Sequence, residues 1–179
     1  MKILVTGGAG FIGSALAYKL SDLGHEVTIV DMTCKSVDTS KVEAIGGDLS
    51  DDGQDNPLFG TKLALYQFDY IYHCAAQSSG YIGLIDSGKD IDWNVKATVN
   101  VFKYAKQTNV KKVIYTSPLK ALSNQKYNDF RNQFPDISFG ILTGDIKDNE
   151  TADVLILKLA HISCHRGRLV CKPSAGRRH

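Results

Sequence analysis

The stretch Ile3-Leu4-Val5-Thr6-Gly7-Gly8-Ala9-Gly10-Phe11-Ile12-Gly13 decides the fold. A short apolar run stops at a glycine cluster, the pattern of a fully buried parallel strand at its carboxyl end. Beyond the glycines, Phe11, Ile12, Leu16, Leu20 and Leu23 form a helical stripe that Gly24 closes. Val27-Thr28-Ile29-Val30 predicts a second strand ending at Asp31. Farther out, 42–45, 70–74 and 113–116 predict three more strands and 92–107 a long helix. Residues 50–66 predict a loop with a short helix, interrupted by Gly53, Pro57 and Gly60. Strands alternating with helical crossovers imply an α/β fold: a doubly wound parallel sheet in three αβα layers, forming a single domain over 1–157.

The glycine spacing, between a strand and a helix and followed by a second strand that ends in an acid, is that of a Rossmann-like dinucleotide site. Gly7 permits a tight turn, Gly10 lets backbone approach a pyrophosphate, and Gly13 lets helix and strand pack closely. The helix N-terminus offers unpaired N–H groups and a positive dipole end to phosphates. Asp31 lies 21 residues after Gly10, where a carboxylate accepts hydrogen bonds from ribose hydroxyls. A 2′-phosphate there would meet a like charge, so the expected cofactor is NAD rather than NADP. The alternative is a glycine-rich turn that holds no ligand.

Residues 1–117 resemble the N-terminal half of an extended short-chain dehydrogenase/reductase, the family of nucleotide-sugar epimerases and dehydratases. The matching segments are TGGAGFIG (6–13), VTIVD (27–31), GDLSD (47–51), HCAAQ (73–77), WNV (93–95) and KKVIYTS (111–117). The resemblance implies cofactor contacts from Gly7, Gly10, Phe11, Ile12, Gly13 and Asp31. It further implies that Asp48 and Leu49 border the adenine, that Cys74, Ala75 and Ala76 line the pyrophosphate and ribose, and that Asn94 braces the strand ends from behind. Asp48 as a simple turn cap and Asn94 as an ordinary helix polar residue are the alternatives.

The family pattern breaks after Ser117. Pro118 stands where a catalytic hydroxyl belongs, and proline offers no polar side-chain atom. No Tyr-x-x-x-Lys occurs downstream; Tyr127 has Arg131 four residues on and reads as a helix packing residue. The substrate-binding part of the family is missing as well. No catalytic residue is therefore assigned, and the expected function is NAD(H) binding without turnover. Residual epimerase or dehydratase activity is the alternative.

From Thr116 the chain runs TSPLKALSNQKYNDF (116–130), with GILTGD (140–145) and ADVLIL (152–157) farther on. Over 111–157 it resembles the motif Ia region of a DExH-type superfamily 2 RNA helicase, so the chain reads as a chimera joined near Ser117. Laboratory recombination is its expected origin, ahead of natural fusion. The segment has neither a phosphate-binding GxxxxGK[ST] loop nor a DExH box, so nothing in it holds Mg-ATP. The resemblance implies nucleic-acid backbone contacts from Lys120 and Asn124, a weak and salt-sensitive third reading. The expected role of the segment is structural. Leu119, Leu122, Tyr127, Phe130 and Phe134 make the apolar side of a helix over 119–133. Residues 137–142 then supply a sixth strand beside the fifth. Residues 153–157 are a seventh strand, expected to pair antiparallel at the edge or to seek a second copy and form a homodimer.

Composition bounds the rest. The 179 residues are 43% hydrophobic and 22% charged, with no apolar run near the ~20 residues that span a bilayer. With no signal-peptide pattern and four cysteines read as reduced thiols, a cytoplasmic protein is expected. Residues 158–179 hold six of the 21 Lys/Arg and no acid, which leaves a balance of −4 elsewhere. An acidic body with a basic tail does not form a nucleic-acid-binding face. The tail has no periodic pattern and is expected to be disordered or derived from a vector. Its His161, Cys164, His165 and Cys171 match no common zinc spacing, so no metal is assigned.

Overall fold

A computed structural model describes residues 1–51, 57–77, 79–117, 120–143, 146–158, 162–165 and 168–171. The chain divides into two compact units, Met1–Val113 and Ile114–His179. The division falls within strand β5 (Lys112–Ser117), close to the expected joint at Ser117.

The first unit is Rossmann-like. Strand β1 (Lys2–Thr6) leads through the glycine loop into helix α1 (Phe11–Asp22), then β2 (Glu26–Asp31), β3 (Glu43–Gly46) and β4 (Tyr70–His73). These strands are parallel and ordered β3-β2-β1-β4. The chain returns to the centre after β3, so the carboxyl ends of β1 and β4 flank a topological switch point, where open α/β sheets bind ligands. Ile3, Leu4, Val5, Ile29, Val30 and Ile71 are almost completely buried. Each such side chain contributes about 1.5–3 kcal/mol on leaving water.

Two short helices that the sequence pattern does not reveal, α2 (Gly80–Ile85) and α3 (Ser87–Ile91), come after β4. Glycines at 80, 83 and 88 leave each too little periodicity to read. The long helix expected over 92–107 begins as a π-helical turn, Asp92–Lys96, and becomes α-helical as α4 (Ala97–Gln107). The short helix expected in 50–66 is a π-helical turn at Pro57–Lys62.

A buried polar relay ties these elements together beneath the glycine loop. Thr98 Oγ1 donates to the Asn94 carbonyl at 2.6 Å, so it accepts from His73 Nε2 at 2.9 Å. His73 Nδ1 in turn accepts from Thr6 Oγ1 at 2.7 Å, and Thr6 Oγ1 accepts the Ala75 N–H at 3.4 Å. One neutral tautomer satisfies every step. Burial agrees, pushing the His73 pKa down from 6.5 to about 4.

In the second unit, helix α5 (Lys120–Gln133) packs on β6 (Phe139–Leu142) and β8 (Val154–Lys158) through Phe130, whose ring meets Tyr115, Phe134 and Phe139. Among the expected apolar residues of this helix, the side chains of Leu119 and Leu122 lie outside the described residues. The strand order here corrects the sequence expectation. Strand β6 lies between β8 and the two-residue β7 (Lys147–Asp148), not beside β5. Strand β8 pairs with β6 in parallel, from Phe139↔Val154 to Leu142↔Leu157, instead of antiparallel at an edge. Its composition explains the placement: Val154, Leu155 and Ile156 are all buried, and an unbroken apolar run needs cover on both faces. Thus the strand expected to seek a partner chain is interior, and the short polar β7 takes the edge.

In the tail, β9 (Ile162–His165) and β10 (Arg168–Cys171) pair antiparallel. The side chains considered there for metal lie outside the described residues. No helix among the described residues is long and apolar enough to cross a membrane.

These interiors make two predictions. His73 takes up a proton less readily folded than unfolded, so stability falls as pH drops from 6.5 towards 4, by about 3 kcal/mol at pH 4 from this group alone. Urea unfolding across that range measures the slope; a His73→Gln chain that keeps it refutes the assignment. Asn124 Oδ1 in α5 is buried with no hydrogen-bond partner. Replacement by leucine removes an unpaired acceptor and improves helix propensity, raising stability by about 1–2 kcal/mol. A lower urea midpoint for Asn124→Leu would contradict this.

Candidate functional site

The site begins where β1 ends. Gly7 turns the chain with φ +67°, and a Cβ on it would lie 2.6 Å from the Ala75 nitrogen. A Cβ on Gly13 would lie 2.1 Å from the Gly7 carbonyl oxygen. Helix α1 therefore meets the loop backbone against backbone, which only glycine at both positions permits. Gly7 N–H donates to the Val30 carbonyl at 2.8 Å, fastening the turn to β2. Gly10 is the N-cap of α1, supplies no side-chain cap, and no acid occupies the first turn. The positive end of the helix is thus not neutralised by its own side chains.

Asp31 ends β2 beside this loop. Its Oδ2 accepts the Ala9 N–H at 3.0 Å and its Oδ1 the Thr33 N–H at 3.5 Å. Two backbone donors hold the carboxylate in place while leaving lone pairs for an incoming hydroxyl. Burial, and next the charge of Asp31, push the neighbouring Cys34 thiol pKa up, so that thiol stays protonated.

A cleft of about 420 Å³ opens over these groups at the carboxyl ends of the strands. Of the residues expected from sequence, Gly7, Gly10, Asp31, Asp48, Leu49, Cys74, Ala75 and Ala76 line it. Phe11, Ile12 and Gly13 lie outside the lining: Phe11 is 75% exposed, and Gly13 is used in packing the loop. Asp48 both lines the cleft and caps a turn, its Oδ1 accepting Ser50 N–H and Oγ, each at 2.8 Å. Asn94 is not in the lining but bonds to residues beside it. Its Oδ1 accepts the Gln77 N–H at 2.9 Å, and its Nδ2 donates to Asp90 Oδ1 at 3.1 Å. Asp90 Oδ1 also accepts Gln77 Nε2 at 3.1 Å, so one carboxylate secures both residues of the rim.

Sequence reasoning missed Ala9, Met32, Thr33, Ser36, Gly47, Gln77, Trp93 and Ala97 in the lining. Most adjoin a residue that was found; Gln77 and Trp93 belong to the HCAAQ and WNV segments. A larger opening of about 680 Å³ lies at the amino ends of the strands. Its acids are engaged, Glu43 by the hydroxyls of Thr28 and Tyr66 and Glu26 by Lys2, and it has no glycine loop. The smaller cleft is the better site because it combines the loop, the helix end and the switch point.

The described residues offer little acid–base machinery. Tyr127, in the second unit, donates its hydroxyl to Asp148 and accepts from Arg131 at 3.1 Å. Burial and the Asp148 contact push its pKa up, the wrong direction for a proton-transfer group at neutral pH. Pro118 lies outside the described residues. Of the two residues expected to touch nucleic acid, the side chain of Lys120 also lies outside them. The Asn124 Oδ1 is buried.

Comparison with known proteins bears on both parts. The model of the NAD dependent epimerase/dehydratase family matches residues 3–129. A solved UDP-galactose 4-epimerase is similar, with 35% identity and TM-score 0.54 over 65% of this chain and 38% of that one. The Bordetella bronchiseptica enzyme WbmF, solved in complex with NAD+, gives 29% identity and TM-score 0.55 over 65% and 36%. The Saccharomyces cerevisiae antiviral helicase SKI2 is 37% identical over 100 residues, 54% of this chain and 7% of the helicase. That match is longer than the whole stretch from 111 to 179, so the helicase likeness begins upstream of position 111. The chain spans less than two fifths of these epimerase-family structures. It belongs to the NAD dependent epimerase/dehydratase family and carries a DExH-helicase-like segment within the same 179 residues.

Proposed function

We propose that this chain binds NAD(H) and performs no turnover. The observation that carries the reading is the Ala9–Asp31 contact: the glycine loop itself presents a carboxylate at the edge of a cleft roofed by an uncapped helix N-terminus. That arrangement fits a diphosphate on the helix end and a ribose diol on Asp31. Bound NAD would supply hydride chemistry, and Gly7, Gly10, Asp31, Asp48, Leu49 and Cys74–Ala76 would hold it. Phe11, Ile12 and Gly13 would serve through backbone and packing, with Asn94 as a brace. Tyr127, tied to Asp148 and raised in pKa, supports the absence of catalysis. The buried Asn124 Oδ1 weighs against the nucleic-acid reading, since a backbone cannot reach it. We place the protein in the cytoplasm and attribute the joined resemblances to recombination of two parents.

Calorimetric titration tests the reading. NAD should bind at least tenfold more tightly than NADP, and Asp31→Ala should weaken NAD about tenfold, the loss of one or two hydrogen bonds to a charged group. Absence of binding by protein that unfolds cooperatively refutes cofactor binding; conversion of a UDP-hexose refutes the absence of turnover.

A further inference from the structure

Apolar side chains are unevenly spread over the surface of the first unit. Tyr81, Leu84, Ile85, Ile91 and Val95 fall within fifteen consecutive residues and are between 48% and 88% exposed. Single apolar residues at a surface need no explanation, but a concentration of them marks a contact. In α2, Tyr81, Leu84 and Ile85 stand at the i, i+3, i+4 spacing that puts them on one face. The opposite side of α2 is already taken, since a Cβ on Gly83 would lie 3.5 Å from the Asp90 carboxyl carbon of α3. Ile91 and Val95 follow, one turn apart, where α3 passes into the π-helical turn. The surface stops there: none of the exposed large hydrophobic residues lies in α4, whose Val101, Phe102 and Tyr104 are buried.

We infer that this face of α2 and α3 is the contact through which two copies of the chain form a two-fold dimer. Two observations select a second copy as the occupant. The first is area. Five side chains this exposed present on the order of 600 Å² of apolar surface, the most that soluble monomers usually leave bare. A standard interface takes about 800 Å² from each partner, as an apolar centre with a polar rim. The second is charge. Asp86 and Lys89, ion-paired at 3.3 Å, and Asp92 and Lys96 border the apolar residues with both signs in equal number. Asp90 is engaged by Gln77 and Asn94. A two-fold axis can set each sign of such a border against its opposite, whereas an anionic membrane or a nucleic acid calls for a basic border. Antiparallel pairing of two α2 helices brings Tyr81 of one copy against Ile85 of the other, with Leu84 near the axis. The Tyr81 hydroxyl then stays at the wet edge. The interior placement of β8 removed the sheet edge expected to recruit a second copy, and this face takes that role. Nothing in the contact requires a bound cofactor.

Sedimentation equilibrium of the full chain decides the matter. At micromolar concentration the chain should have twice its formula mass. Leu84→Lys puts a charge at the centre of the contact and should raise the dimer dissociation constant at least tenfold, with far-UV dichroism and cooperative urea unfolding retained. Leu65→Lys, at a residue 92% exposed and outside this face, should leave the dissociation constant unchanged within twofold. A chain that stays monomeric throughout the micromolar range overturns the inference. A dimer that Leu84→Lys leaves intact overturns it as well. A monomer that co-sediments with phosphatidylserine vesicles, and no longer does so after Leu84→Lys, assigns the face to lipid and overturns the dimer.

Discussion

The approach of α1 to the end of β1, with no side chain between them, is the constraint on which the site depends. The Gly13 Cα faces the Gly7 carbonyl at a distance that a methyl group would violate, and Gly7 adopts a left-handed conformation against the backbone of Ala75. Both glycines cost conformational entropy on folding, so the arrangement persists only because flanking apolar strands stabilise it. Ile3, Leu4 and Val5 on one side of the loop and Ala17 and Leu20 on the helix supply that burial. The head of α1 ends up against the cleft at Gly10 because the helix has nowhere else to go.

A second constraint lies under the first. The Thr6–His73–Thr98 relay joins the last residue of β1 to the last residue of β4 and the first turn of α4. Such a chain discriminates sharply among arrangements: a displaced strand leaves a buried imidazole with an unpaired nitrogen, a penalty of about 1–3 kcal/mol. The same residues continue into the rim, through the Asn94 carbonyl to the Asn94 side chain, Gln77 and Asp90. The relay beneath the loop and the polar groups of the cleft rim thus form one connected network through Asn94.

This division explains what was legible in the sequence. The glycine loop, Asp31 and the first four strands could be read because each is a local pattern whose physics acts within about thirty residues. Asp90 could not, because its role is created by Gln77 and Asn94 arriving from two sides of a turn. The order of β6 and β8 was unreadable for a related reason. Strand composition specifies burial on both faces, but it does not say which strand pairs along each edge, and the two polar residues of Lys147–Asp148 carry no periodic signal.

The helicase-like segment tests how far a fold constrains its own continuation. Both parent patterns place an apolar strand ending in Thr-Ser at this point, and β5 satisfies either. After it, the second unit needs only an amphipathic helix and two apolar strands, and the aromatic cluster of Tyr115, Phe130, Phe134 and Phe139 supplies their packing from within. Such requirements are generic: many sequences meet them, which is why an unrelated segment can. The requirements at the carboxyl ends of β1 and β2 are not generic, since they fix glycine and aspartate at single positions. Specific chemistry is concentrated in the first unit and generic architecture in the second, so a change of sequence pattern is tolerated in the second where it would not be at the glycine loop.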